Sequence, residues 1–197
     1  MTDPATMAFY DREAPRYTTS FGRRPSRHLE GFLDRLTPRA RVLELGCGGG
    51  RDAGRIAERG FALDATDGSA AMAAKARERT GLAVRHMRFD ELDAVAEYDA
   101  VWANACLLHV PRAEIAQVLG AIRESLRPGG WHFASYKLGT GEGRDLLGRL
   151  HNFPDERWIS AAYGDAGFAL ADTAIYRGEG ADGTVRDWIA ITARKPE

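Results

Sequence analysis

The chain has 197 residues, of which 44% are hydrophobic and 28% charged, and its formal net charge is −1. This length predicts one domain with a full core, and the near-neutral charge excludes a general attraction to nucleic acids or anionic membranes. No stretch approaches the ~20 apolar residues that cross a bilayer, and the polar start lacks the apolar segment of a signal peptide, so we expect a cytoplasmic protein.

The leader, residues 7 to about 36, mixes polar and aromatic positions and predicts two helices with a loop at Phe21–Pro25. After it, strand-like and helix-like segments alternate, a pattern typical of a parallel sheet covered by helices. The predicted strands lie near 41–45, 61–66, 83–87, 98–103, 130–136, 169–177 and 186–194. The predicted helices lie near 51–59, 69–79, 112–126 and 155–166.

Two glycine-rich connections follow predicted strands. Residues 178–183 are short and rich in turn formers, which favours an antiparallel hairpin between the last two strands. Residues 138–143 follow the fifth strand, and we expect them to form a mobile loop near the active face of the sheet.

The first predicted strand ends in a glycine-rich elbow, residues 46–50, and a helix follows. Glycine lets the backbone turn tightly and approach a ligand, and the helix aims unpaired N–H groups and a positive dipole end at the elbow. This arrangement predicts a nucleotide-type cofactor site. The dinucleotide fingerprint has its third glycine one position later, where this chain has Arg51.

The second predicted strand ends at Asp67, roughly 20 residues past the first glycine, where a carboxylate can accept from both hydroxyls of a ribose. Ser69 is a good N-cap for the helix that follows, so Asp67 is not needed as a cap. Asp67 is therefore the strongest single candidate for a cofactor contact.

Four segments in this order resemble the motifs of class I S-adenosylmethionine-dependent methyltransferases: residues 44–50, 67–72, 98–102 and 126–130. Residues 50–52 and 107–112 look most like the small bacterial enzymes related to tellurite-resistance methyltransferases. The resemblance implies an α/β Rossmann-like three-layer sandwich with a seven-stranded, mostly parallel sheet and an antiparallel C-terminal strand. It implies a single domain, with residues 1–36 as a helical lid over a core at 41–197, and S-adenosylmethionine as cofactor.

The resemblance also implies roles for particular residues. The elbow glycines would approach the methionine moiety, and Glu44 would orient the elbow and reach the amino group through water. The Phe89 N–H and the Asp90 side chain would bind adenine, although Arg88 stands where many relatives have Asp. The Ala103 carbonyl would accept from the methionine ammonium. The expected cofactor contacts are Tyr17, Glu44, Gly46, Cys47, Gly48, Gly50, Arg51, Asp67, Gly68, Phe89, Asp90 and Ala103.

The segment after the fourth strand is where such enzymes display substrate-class residues. Asn104 is followed by Ala105 and Cys106, which disfavours both adenine-amino and cytosine-C5 methylation of DNA. His109 is the candidate general base, because its ordinary pKa lies near neutrality. The expected substrate-pocket residues are Tyr10, Asn104, Tyr136, Lys137 and Arg144, with Tyr17, Arg51 and His151 as further candidates. We find no cluster of metal ligands, and neither Cys47 nor Cys106 fits a disulfide framework.

Methyl transfer from a sulfonium requires mainly that donor and acceptor be held in line and that water be excluded. The sequence therefore predicts methylation of a small molecule without identifying it. Two alternatives stay open: a nicotinamide-dependent oxidoreductase on a similar fold, and a non-catalytic S-adenosylmethionine-binding protein. A basic cluster in the leader suggests the hypothesis of nucleic-acid binding, but the acidic residues interspersed in it make that hypothesis weak. The members of the cluster are Arg12, Arg16, Arg23, Arg24 and Arg27.

Overall fold

A computed structural model of the chain describes residues 3–20 and 24–197. The predicted loop at 21–25 lies partly outside these residues, and Arg23 of the basic cluster lies outside them. The helices are α1 (Pro4–Ser20), α2 (Leu29–Leu33), α3 (Arg51–Glu58), α4 (Ala70–Thr80), α5 (Ile115–Ser125) and α6 (Glu156–Asp165). The strands are β1 (Arg41–Glu44), β2 (Ala62–Asp67), β3 (Val84–His86), β4 (Tyr98–Ala103), β5 (Leu126–Lys137), β6 (Gly141–Arg144), β7 (Leu150–Phe153), β8 (Ala169–Glu179) and β9 (Val185–Arg194).

Seven strands form one sheet in the order β3-β2-β1-β4-β5-β9-β8. Strands β1 to β5 pair in parallel, and β9 runs antiparallel to both β5 and β8. Strands β2 and β3 are added on one side of β1, and β4 and β5 on the other, so the strand order reverses between β1 and β4. The carboxyl ends of β1, β2 and β4 meet at that point. The predicted fold class is confirmed, including the antiparallel C-terminal strand.

Helices cover both faces of the sheet because successive strand residues point to opposite sides. In β1, Leu43 packs in the cluster that contains α5 and α6 residues, whereas Val42 packs in the cluster that contains α2 and α3 residues. Small α4 residues, such as Ala73, pack with β2 in a third cluster. The result is a three-layer sandwich with α1 lying against α4 at the carboxyl edge of the sheet.

The glycine-dense segment after β5 is not only a loop. Residues 141–144 form β6, which pairs antiparallel with β7 in a separate two-stranded sheet. The turn between them is organised by Asp145, whose Oδ1 accepts from the Leu147 and Arg149 N–H groups at 3.0 Å each. The prediction of a loop was wrong for residues 141–143. The Asp145 side chain stabilises the turn, and this turn supports a hairpin that a glycine-rich sequence does not predict.

Candidate active site

The glycine elbow joins β1 to α3 at the carboxyl edge of the sheet. Gly46 has a φ of +65°, and a Cβ placed there would lie 2.5 Å from the Cys106 Cβ, so only glycine fits. The Cys47 N–H donates to the Thr66 carbonyl of β2 at 2.9 Å. The elbow is thus held by strand β2 on one side and by the segment that follows β4 on the other, and its backbone lines a cavity.

Asp67 ends β2 beside the elbow. Its Oδ2 accepts from the Gly48 N–H at 2.8 Å, and its Oδ1 accepts from the Ser69 N–H at 2.9 Å. Ser69 caps α4, as predicted, by accepting from the Met72 N–H. Burial raises the pKa of Asp67 to about 6, and the two backbone bonds oppose that rise. Each carboxylate oxygen keeps a second lone pair for a ligand hydroxyl.

Glu44 ends β1 and is buried, yet its Oε2 has no hydrogen-bond partner among the described residues. Burial, and then the nearby charges of Asp52 and Asp67, raise its pKa well above the usual range. A buried carboxylate oxygen without a partner is costly, and a ligand ammonium would satisfy it. The residues around the elbow therefore fit the amino-acid end of S-adenosylmethionine.

A cavity of about 180 Å³ lies over the elbow, and we call it the donor cavity. Nine of the twelve expected cofactor residues line it: Tyr17, Glu44, Gly46, Cys47, Gly48, Arg51, Asp67, Gly68 and Phe89. Lining residues that were not among the expected cofactor contacts include Met7, Thr18, Asp52, Met72, Arg79 and Arg88. The individual roles of all these residues stay predictions.

Three expected cofactor residues do not line the donor cavity. Gly50 caps α3 instead, where its Cβ position is 2.8 Å from Thr80 Cγ2 of α4. Ala103 is fully buried in β4, paired with Ala134 of β5. For these two residues, packing rather than ligand contact accounts for their positions.

Asp90 is the third expected residue outside the cavity. Both of its carboxylate oxygens accept from the Arg88 guanidinium at 3.1 Å. Arg88 and Phe89 line the cavity in its place. Because both carboxylate oxygens of Asp90 are bonded to Arg88, the structure does not support Asp90 as the adenine contact.

Helix α1 covers the donor cavity. Tyr10 and Tyr17, seven residues apart on this helix, both line it. Asp11, between them, accepts from the Ser69 hydroxyl at 2.6 Å and from the Ala71 N–H at 3.3 Å, which fastens α1 to the start of α4. The leader therefore stands where a lid over the cofactor would stand.

A second cavity of about 390 Å³, the acceptor cavity, adjoins the donor cavity. The two share Tyr10, Tyr17, Arg51, Asn104, Ala105 and His109. Lys137 and His151 line the acceptor cavity, as expected. Tyr136 and Arg144 line neither cavity.

The structure gives these two outlying residues other partners. Tyr136 is fully buried, and its hydroxyl lies 3.2 Å from the Tyr163 hydroxyl. The Arg144 guanidinium donates to both oxygens of Asp3, at 3.0 and 2.9 Å, and so fixes the start of α1. The prediction that they contact substrate is not supported.

The border between the cavities is a hydrogen-bonded cluster. The Ser26 hydroxyl donates to Asp52 Oδ2 at 2.5 Å and accepts from Arg51 Nη2 and Asn104 Nδ2, both at 2.7 Å. Asp52 Oδ2 also accepts from the Trp102 indole N–H at 3.1 Å. The amide of Asn104 and the guanidinium of Arg51 are thus fixed in orientation at the point where two ligands would meet.

His109, the candidate base, is held in one tautomer. Its Nδ1 lies 2.7 Å from the Leu150 carbonyl, which only accepts, so Nδ1 carries the proton. Its Nε2 therefore accepts from the Tyr10 hydroxyl at 2.8 Å. Burial lowers the pKa of His109 well below its usual range, and the neighbouring His151 lowers it further. His109 is thus a neutral imidazole that lines both cavities and accepts from Tyr10, and its catalytic role stays a prediction.

Sequence reasoning missed the groups that support Tyr10. Arg149 Nη1 donates to the Tyr10 hydroxyl at 2.8 Å, and Asp145 Oδ2 accepts from Arg149 Nη2 at 2.6 Å and from His151 Nε2 at 3.0 Å. All of these side chains except Tyr10 come from the β6–β7 hairpin. The Asp and Gly residues at 145 and 148 are the only local signal of that turn.

No helix in the described residues combines the length and apolar character needed to cross a membrane. Within residues 3–20 and 24–197, no group of three or more His, Cys, Asp or Glu side chains is placed to hold a metal ion.

Comparison with known proteins gives a consistent result. A family model described as a methyltransferase domain matches residues 42–130. Trans-aconitate 2-methyltransferase of Deinococcus radiodurans is 32% identical over 108 residues, which make up 54% of this chain and 41% of that protein. The match thus spans less than half the length of that relative. An uncharacterised methyltransferase of Mycobacterium tuberculosis is 28% identical over 151 residues, 66% of this chain and 76% of that protein.

A solved structure matches over nearly the whole chain. It is the 1,6-didemethyltoxoflavin-N1-methyltransferase of Burkholderia thailandensis, crystallised with bound 1,6-didemethyltoxoflavin and S-adenosylhomocysteine. It is 25% identical with a TM-score of 0.69, and the alignment covers 96% of this chain and 81% of that one. The family model thus covers the elbow, Asp67 and β4, whereas the solved structure aligns with nearly the whole chain.

Proposed function

Since the chain belongs to the class I S-adenosylmethionine-dependent methyltransferases, we propose that it moves a methyl group from S-adenosylmethionine to a small molecule held in the acceptor cavity. One observation carries this proposal: the donor cavity over the glycine elbow opens onto a larger cavity through six shared residues. A donor and an acceptor bound side by side there meet beside Asn104 and His109.

Three groups would hold the donor. Asp67 takes the ribose hydroxyls with the lone pairs that its backbone bonds leave unused. Glu44 takes the ammonium with its unpartnered Oε2. Phe89 lies on the adenine side, where Arg88 rather than Asp90 completes the wall.

The chemistry asks the protein for position more than for reactivity. The bound donor supplies an electrophilic methyl group on a sulfonium with a good leaving group. Arg51 and Asn104, fixed by Ser26, shape the border between the ligands, and α1 excludes water through Tyr10 and Tyr17. Alignment and water exclusion of this kind account for a large part of catalysis in two-substrate reactions.

The size of the acceptor cavity supports a small-molecule acceptor. A volume of about 390 Å³ accommodates a metabolite-sized ligand. Two of the matched proteins are named for small-molecule acceptors, trans-aconitate and 1,6-didemethyltoxoflavin. These names support the acceptor class and do not identify the acceptor.

Calorimetric titration with S-adenosylhomocysteine, with NAD run alongside, tests the donor site. One-site binding of the first and none of the second is the expected result. A screen with S-adenosylmethionine labelled on its methyl group then tests transfer to small molecules. Binding of NAD instead would favour the oxidoreductase alternative. Binding of S-adenosylhomocysteine without methyl transfer to any acceptor would favour the alternative of a non-catalytic binding protein.

A further inference from the structure

The acceptor cavity is unequally charged. Among the described residues, five cationic side chains line it, and one carboxylate does so, that of Glu179. The cations are Arg24, Arg27, Arg51, Lys137 and Arg149. Arg24 and Arg27 are exposed at the mouth, whereas Lys137 and Arg149 are each 2% exposed. A ligand that enters this cavity therefore passes from a cationic mouth to a cationic interior.

The two interior cations differ in how well they are satisfied. Arg149 donates to Asp145 through Nε at 3.0 Å and Nη2 at 2.6 Å, and to Tyr10 through Nη1. Within the described part of the chain, Lys137 pairs with one carboxylate, that of Asp182, at the long distance of 3.5 Å. Arg149 is thus committed within the chain, while the Lys137 ammonium keeps donors for a ligand.

Burial makes this incomplete pairing of Lys137 costly. Burial lowers the pKa of Lys137, and the Asp182 charge opposes the effect. His151, beside it in the cavity wall, bonds Asp145 through Nε2 but has no described partner at its buried Nδ1. Two buried polar groups of the same cavity are therefore left short of partners, which is the expected state of a ligand site.

The other walls are aromatic. Tyr176 and Trp188 stack with ring centroids 6.2 Å apart, Arg27 covers the Tyr176 ring at 4.6 Å, and Lys137 Nζ lies 5.7 Å from the Trp188 ring centroid. Tyr10 and Tyr17 form the side toward the donor. Such walls bind a flat apolar body while the charges bind an anionic group.

We infer that the methyl acceptor is a small organic carboxylate with an aromatic or apolar body, and that Lys137 binds its carboxylate. This inference rests on the proposed function, since it names the occupant of the same acceptor cavity. Arg24 and Arg27 attract the anion at the mouth, and Lys137 gains the close charged partner that Asp182 does not provide.

The test compares acids with their uncharged amides, which share a body and differ in charge. The probes are phenylacetate against phenylacetamide and indole-3-acetate against indole-3-acetamide, added to the protein saturated with S-adenosylhomocysteine. Binding is followed by calorimetry and by tryptophan fluorescence, because Trp188 lines the cavity. We expect at least one acid to bind about 10-fold or more tightly than its amide, as a charged hydrogen bond provides.

Variants locate the charge. Lys137→Met should remove the preference for the acid, and Lys137→Arg should restore part of it. Lys137→Met combined with Asp182→Asn removes both charges, so its loss of acid binding cannot come from an unpaired Asp182. Lys75→Met is the matched control, because Lys75 pairs with Glu78 on the exposed side of α4. Retained S-adenosylhomocysteine binding verifies that each variant is folded.

The outcomes separate the two proposals. Equal binding of acids and amides, no binding of either acid, or an acid preference that survives in Lys137→Met overturns the inference and leaves the proposed function standing. Failure of the unmodified protein to bind S-adenosylhomocysteine overturns the proposed function itself.

Discussion

The Tyr10 hydroxyl donates to His109 Nε2 at 2.8 Å, although 99 positions separate the two residues. This bond fastens helix α1 to the turn after β4, at the border between the two cavities. Arg149, from the β6–β7 hairpin, donates to the same hydroxyl. One phenol thus connects three parts of the chain that would each contact a ligand.

Removing that hydroxyl should loosen the attachment of α1. Tyr10→Phe leaves the buried His109 Nε2 without a donor, which costs about 1–3 kcal/mol. For a chain of this size that corresponds to a fall of about 2–4 °C in melting temperature per kcal/mol. Scanning calorimetry measures the fall, and S-adenosylhomocysteine affinity should drop with it because α1 covers the donor. An unchanged melting temperature would show that the bond to His109 contributes nothing.

Nine of the twelve expected cofactor residues line one cavity, because the geometry that brings them together is local. The elbow and Asp67 lie at strand ends whose positions follow from hydrophobic patterning, and parallel strands bring those ends to one edge. The expected substrate residues are more scattered, since Tyr136 and Arg144 line neither cavity. Lys137 and Arg144 look alike in sequence, yet one lies in the cavity and the other bonds Asp3.

The reason is that the acceptor cavity depends on contacts between distant segments. β6 reads Gly-Glu-Gly-Arg, which has little strand propensity, and its hairpin is supported by Asp145. That hairpin brings Arg149 to Tyr10, 139 positions away. No periodicity or spacing in one sequence encodes such a pair, so the partners of Tyr10 could not be predicted.

Asp67 should dominate donor affinity. Asp67→Ala removes an acceptor of two ribose hydroxyls, and each charged hydrogen bond contributes about 1.5–3 kcal/mol, so we expect S-adenosylhomocysteine affinity to fall about 100-fold or more. Asp64→Ala is the control, because Asp64 lies on the same strand but pairs with Arg41 away from the cavity. Calorimetric titration of both variants with S-adenosylhomocysteine measures the difference. Equal affinities of the two variants would contradict the assignment of Asp67 to the ribose site.

Donor affinity should depend on pH through the same group. Burial raises the pKa of Asp67 to about 6 from 3.8, so the carboxylate dominates above pH 6 and the protonated form below it. Because the charged form is the better acceptor for ribose hydroxyls, S-adenosylhomocysteine affinity should fall as pH drops from 7 to 5. The sign for stability of the unliganded protein is opposite: the raised pKa favours folding at low pH, and this contribution is lost as pH rises through 6.

Asp67→Asn separates the two effects of pH. The variant should bind weakly at every pH, and its affinity should lack the component that titrates near pH 6. Glu44 is present in both proteins, so the difference between their titration curves reports the Asp67 carboxylate together with its effect on the pKa of Glu44. Calorimetric titrations between pH 5 and 8 provide the curves, and parallel curves would contradict the assignment.

A pair of glycine variants should separate backbone strain from ligand contact. Gly48 and Gly60 have φ values of +56° and +81°, and a Cβ at Gly48 would meet only Met72 Cε, at 3.7 Å, while one at Gly60 would meet nothing within 4 Å. Alanine at either position therefore costs about 1–2 kcal/mol of left-handed strain and no clash. The two variants should lose similar stability in thermal unfolding. Only Gly48→Ala should lose S-adenosylhomocysteine affinity, because Gly48 lines the donor cavity and its new methyl group would occupy ligand space. Full affinity in Gly48→Ala would mean that the donor does not approach the elbow backbone at that point.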